Sequence, residues 1–141
     1  MTEIKFYHNA PDRIMAACSI TAKAVRQGHK VVVYAPDTEN ARRYDSLLWS
    51  VPALSFVPHV PANSPLAART PVLIASQLDN TAHADVLINL DGELPPTFLR
   101  WTMLVEIVSS QGEDRDPARH RWQFYKERGY AITAHDLAKA E

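Results

Sequence analysis

Apolar positions along this chain change period several times, and each change marks an element. Residues 4–8, IKFYH, read as a short strand, followed by a turn at Asn9 to Asp12 whose Asn or Asp can cap a helix with Pro11 near its first turn. Ile14, Ala17, Cys18, Ala24 and Val25 then recur at helical spacing until Gly28 ends the run. KVVVYA, residues 30–35, is near-continuously β-branched, the pattern of a parallel strand covered on both faces. Residues 36–49 predict a second helix, with Asp37 or Thr38 as cap and Ala41, Tyr44, Leu47 and Leu48 facing inward. Pro52, Pro58, Pro61, Pro65 and Pro71 confine any strand between them, such as SFVPH, to a short or edge position. PVLIAS (71–76), DVLINL (85–90) and TMLVEIVS (102–109) predict three more strands, with a short helix around PPTFLRW. A last helix is expected from near Glu113, capped by Asp114 or Asp116 with Pro117 in its first turn, to Gly129, and YAIT as a returning strand. Strands alternating with helices predict a three-layer, Rossmann-like α/β domain with a largely parallel sheet, spanning residues 1–141 as one unit.

Length and charge agree with that picture. A chain of 141 residues can bury a sizeable core without staples, and a net charge of -1 with 46% apolar residues argues against disorder and against whole-protein attraction to nucleic acid or anionic membrane. Any acidic partner must be met locally. Cys18 is the lone cysteine, so no intramolecular disulfide and no zinc spacing exist; within IMAACSITAKA it reads as a small buried side chain. MTEIKFYHN lacks the basic and apolar segments of a targeting signal, and no apolar run reaches membrane-spanning length. A cytoplasmic, soluble protein without a membrane partner is expected.

Candidate chemistry is sparse. The turn after the first strand, HNAPDR, contains no glycine, so backbone cannot approach a dinucleotide there as the Rossmann fingerprint requires, and no P-loop occurs. No serine sits in a glycine-flanked elbow. His8, His59 and Asp85 could in principle converge, but a lone histidine is more often structural, and Asp91 and Glu93 in LDGELPP read as turn residues. No catalytic, cofactor-binding or metal-binding residue is assigned on this reading.

Two stretches look built for contact. In YDSLLWSVPALSFVPH (44–59), Trp49 and Phe56 flank a proline-broken turn; they either cap the core or, exposed together, form a protein-binding hot spot. ARHRWQFYKERGY (118–130) carries four Lys or Arg, four aromatic rings and one acid, Glu127. On a helix Arg115, Arg119 and Trp122 share one face, Arg121, Tyr125 and Arg128 form an adjacent stripe, and Phe124 points inward. The plainer alternative is a solvated helix whose arginines pair with Glu113, Asp114 and Asp116.

In their order and spacing these motifs, IKFYH, YDSLLWSVPALSFVPH, PVLI, DVLINL, LVEIV and ARHRWQFYKERGY, closely resemble the chi subunit family of bacterial DNA polymerase III over almost the whole chain. The resemblance implies a non-catalytic replicase subunit with an α/β fold lacking a nucleotide site. It also implies two partners: the psi subunit of the clamp loader, and the acidic C-terminal tail of single-stranded DNA-binding protein, which ends in Pro-Phe with a free carboxylate. DNA itself would be met mainly indirectly. By position, Arg115 and Arg119 would attract the tail's carboxylates, Val108 and Trp122 would wall the slot for the terminal Phe, and Trp49 and Phe56 would face psi. The family usually has Tyr where Trp122 stands and often Lys at Arg115, and its usual glycines are missing from VPANSPLAAR (60–69). Two rivals are a direct single-stranded nucleic-acid binder stacking bases on Trp122, Phe124 and Tyr125, and a small nucleotide-dependent enzyme using His8, Asp37 or Asp85.

Overall fold

A computed structural model describes residues 2–50, 57–79, 81–96, 100–110 and 114–138. In chain order the elements are β1 (Glu3–Ala10), α1 (Arg13–Arg26), β2 (Val31–Tyr34), α2 (Thr38–Ser50), β3 (His59–Pro61), a 3-10 turn at Ala67–Arg69, β4 (Val72–Ala75), β5 (Val86–Asn89), β6 (Met103–Ser109), α3 (Arg115–Glu127) and β7 (Ile132–Asp136). The strands form one seven-stranded sheet in the order β3-β4-β2-β5-β6-β1-β7. Every neighbouring pair is parallel.

Alternation along the strands distributes two cores. Val31 and Val33 of β2 face the layer of α1 and α2, meeting Ala17, Cys18, Tyr44 and Leu48, while Val32 faces the opposite layer with Phe6, Leu87, Leu104 and Tyr125 of α3. All three valines are fully buried, which is why that run carries no polar position. The result is the three-layer α/β architecture expected from the alternation of patterns. Cys18 lies on the α1 side at 0% exposure, and burial, reinforced by the nearby Asp12 charge, pushes its thiol up to about 12. A thiol held that far above neutrality is a packing group rather than a nucleophile.

Local signals set the helix boundaries. Asp12 caps α1, its Oδ1 accepting from the amides of Ile14 (3.1 Å) and Met15 (3.2 Å). Asp37 does the same for α2 through Glu39 and Asn40. Gly28 and Gly129, with φ of 88° and 80°, follow α1 and α3 in the left-handed conformation that suits glycine. Asp114 departs from the expected pattern. It precedes α3 but makes no side-chain cap; its carboxylate instead takes the amide (2.9 Å) and hydroxyl (2.6 Å) of Ser109, tying the start of α3 to the end of β6.

The proline-rich stretch does yield a short edge strand, three residues at His59–Pro61; Ser55 and Phe56 of SFVPH lie outside the described residues. The sequence-predicted helix around PPTFLRW falls partly on residues outside those described. Among the described residues, no helix is long and apolar enough to cross a membrane.

Candidate functional site

Because all strands run parallel, their carboxyl ends share one rim of the sheet, where ligands of open α/β folds usually bind. The turn after β1 is closed to phosphate by the protein's own chemistry. The first amides of α1, which would face an anion, are occupied by the Asp12 carboxylate, and that carboxylate also pairs with Arg43. His8, His59 and Asp85 do not converge either: Asp85 pairs with His29 (3.2 Å) and His59 with Asp45 (3.0 Å), while His8 stands elsewhere on β1. Among the described residues no group of three His, Cys, Asp or Glu could hold a metal ion.

What this rim carries is a pocket of about 340 Å³ between α3 and the carboxyl ends of β1, β6 and β7. Val108 and Ser109 of β6, Phe6, His8 and Asn9 of β1, and Ala134 of β7 form the sheet side; Arg115, Ala118, Arg119 and Trp122 form the helix side. The four residues singled out in the sequence, Val108, Arg115, Arg119 and Trp122, therefore line one cavity. Its floor is apolar because Phe6, Val108 and Ala118 belong to the α3-side core. Trp122 is fixed as a wall by an edge-to-face contact with Phe6, centroids 5.0 Å apart at 69°. Arg115 and Arg119 are exposed at the mouth, one helical turn apart, and neither makes an ion pair among the described residues. An apolar slot rimmed by two guanidinium groups is suited to an apolar side chain that carries a carboxylate beside it.

The adjacent stripe of Arg121, Tyr125 and Arg128 is not a surface stripe, and this corrects the sequence-based expectation. Arg121 is 3% exposed and Tyr125 0%. Arg121 Nε donates to Glu106 Oε1 (3.1 Å), Tyr125 Oη donates to Glu106 Oε2 (2.7 Å), and Asn89 Nδ2 lies 3.1 and 3.2 Å from the two carboxylate oxygens. The Arg121 guanidinium also donates to the Gly92 carbonyl at 2.6 Å. Only Arg128 remains at the surface, its guanidinium 3.7 Å from the Phe124 centroid, with Phe124 half-buried beneath it. Burial pushes the Glu106 carboxyl upward, a tendency opposed by the Arg121 charge and by its hydrogen bonds.

Arg13 extends this interior scaffold. It donates to the carbonyls of Ile107 (2.9 Å) and Asp91 (2.9 Å) and approaches Asp114 at 4.0 Å. Composition alone does not reveal this network, yet one signal was available: an acid within the apolar strand MLVEIVS requires a buried partner.

A second depression, an open crevice of about 920 Å³, runs along the β3 edge of the sheet beside α2, from Ala35 and Ser76 past the carboxyl ends of β2 and β4 down to His59, the first residue of β3. Trp49 stands on its lip, 62% exposed and tilted against His59 at 4.8 Å. Exposure of so large a ring favours the contact reading over the core-capping one. Phe56 lies outside the described residues.

Fold and site together define a class: a doubly wound α/β domain whose phosphate-binding turn is plugged by its own side chains and which carries an apolar, arginine-rimmed pocket toward one edge of the sheet and an open crevice at the other. Residues 1–133 match the family model of the DNA polymerase III chi subunit, HolC, and the chain belongs to that family. It is similar to DNA polymerase III subunit chi of Pseudomonas aeruginosa, 32% identical over 99% of both chains. The same subunit of Escherichia coli is 32% identical over 82% of this chain and 79% of the relative. That of Haemophilus influenzae is 26% identical over 86% and 85%.

Proposed function

We propose that this chain is a non-catalytic adaptor of the replicase, joining the clamp loader, through psi, to the C-terminal tail of single-stranded DNA-binding protein. The single observation that carries the reading is the gathering of Val108, Arg115, Arg119 and Trp122, which come from two elements, around one apolar slot with a cationic mouth. The terminal Phe of the tail fills the slot and stacks against Trp122, while Arg115 and Arg119 grip its free carboxylate and the preceding aspartates. Each contact suits the other: a guanidinium fork binds a carboxylate by two hydrogen bonds, and the aromatic wall removes apolar surface from water.

Trp49, exposed beside the start of edge strand β3, supports a separate contact with psi, to which Phe56 contributes. Several tails displayed on coated DNA raise the effective concentration, so a micromolar contact, about -8 kcal/mol, suffices for a tether. Such binding weakens with added salt because both partners are charged.

The test is titration of the chain with a synthetic acidic peptide ending in Pro-Phe. Arg119→Ala is expected to lose at least about tenfold in affinity, the worth of a charge-assisted hydrogen bond. Unchanged affinity refutes the pocket. Trp49→Ala is expected to lose psi in a pull-down while keeping the peptide, and loss of both partners would refute two independent faces. Tight binding of a bare oligonucleotide by the isolated chain would instead favour the nucleic-acid reading.

A further inference from the structure

The β1 side of the pocket carries a residue to which the adaptor reading gives no role. His8 lines the cavity across from Arg115 and Arg119. Strand alternation puts it on the face of Phe6, and a bulge follows it: β1 pairs with β6 in regular register up to Tyr7↔Ile107, then slips so that Ala10 meets Ser109. Within the slip, Asn9 adopts φ 60° and its amide donates to Asp136 Oδ1 at 3.0 Å, anchoring the irregular backbone to β7. In consequence Ala10 turns into the α1-side core while His8 stays with Phe6 on the pocket side.

The other histidines contrast with it. His29 pairs with Asp85 and His59 with Asp45, His83 Nε2 lies 2.7 Å from the Thr70 carbonyl, and His135 stacks on Tyr7 at 4.7 Å. His120 is exposed on α3. The His8 imidazole has no hydrogen bond, ion pair or ring contact with any described residue. It is a half-buried polar ring, facing a cavity, with no internal partner.

We propose that His8 is a further ligand-recognising residue of this pocket, which takes a carboxylate of the bound acidic peptide from the side opposite the two arginines and makes binding proton-linked. The inference rests on the reading of the pocket as the acidic-tail site. Imidazole is the side chain whose charge ordinarily changes near neutrality.

The groups facing His8 set the sign of the effect. From α3 come the permanently charged Arg115 and Arg119; from β6, Val108 and Ser109, with Ser109 bonded to Asp114; from β7, Ala134, with Asp136 held by Asn9. An arriving carboxylate favours the imidazolium. Binding therefore takes up a proton, and affinity rises as pH falls.

The experiment is calorimetric titration of the full chain with the acidic Pro-Phe peptide at about pH 8 and about pH 6, in buffers of differing ionisation enthalpy. Wild-type affinity is expected to rise about two- to fivefold on acidification, the worth of one partly exposed ion pair, with net proton uptake. His8→Gln should bind with no pH response, His8→Lys should hold the stronger affinity at both values, and His120→Gln should behave as wild type. A pH response that persists in His8→Gln, or zero proton uptake by wild type, overturns the proposal; the second readout does not depend on any variant folding. Unchanged binding by Arg119→Ala would sink the pocket reading itself, whatever His8 does.

Discussion

Arg119 and Arg121 stand two residues apart on α3 and meet opposite fates. Arg119 is exposed at the mouth of a pocket without an ion-pair partner among the described residues, whereas Arg121 is buried against Glu106 beneath the helix. The difference lies in what the sheet presents to each face. One guanidinium fastens α3 to β6; the other stands exposed at the pocket mouth. The interior pair gives the outer row a fixed platform, since the helix that carries Arg115, Arg119 and Trp122 is tied to the sheet by Arg121 and Tyr125.

Three experiments break or sharpen that contrast. Glu106→Leu strands a buried arginine and should cost about 3–5 kcal/mol in urea denaturation. Pairing it with Arg121→Met should recover most of the loss, because a well-packed apolar pair often equals a buried ionic one. No recovery would mean that Tyr125 and Asn89 depend on the carboxylate more than Arg121 does. Next in size, Asp114→Ala removes the acceptor of both Ser109 hydrogen bonds and should cost about 1–3 kcal/mol. It should also weaken the Pro-Phe peptide, since Val108 and Arg115 flank that junction; intact affinity would make the tie purely structural. Smallest of all, Arg119→Ala should leave the denaturation midpoint within about 0.5 kcal/mol of wild type. A larger loss would show that Arg119 also serves the fold.

The strands were legible because buried parallel strands demand unbroken apolar runs, as VVVY and VLIN display. Their order was not, since it depends on pairings such as Ile4 with Leu104, between residues about a hundred positions apart. The site divided along the same line. Val108, Arg115, Arg119 and Trp122 stand close together in the chain and could be grouped by helical spacing and by resemblance. Phe6, His8 and Ala134 come from β1 and β7, and only the sheet brings them to the pocket.

Helical spacing puts Arg121 and Tyr125 on one stripe but does not say that this stripe is the covered one. Glu106 decides that question. An acid flanked by Val105 and Ile107 in a strand buried on both sides needs a cation close by. Trp101 shows a related effect: the last residue of PPTFLRW, it lies between elements, yet is among the largest fully buried side chains.

The parallel sheet has a mechanical corollary. The slot beside β1 and the crevice beside β4 lie toward opposite edges of the sheet, four strand spacings apart, roughly 20 Å. Tension between objects held at those two places would cross the ladders joining β4, β2, β5, β6 and β1, so a load on either would fall on the hydrogen bonds between strands.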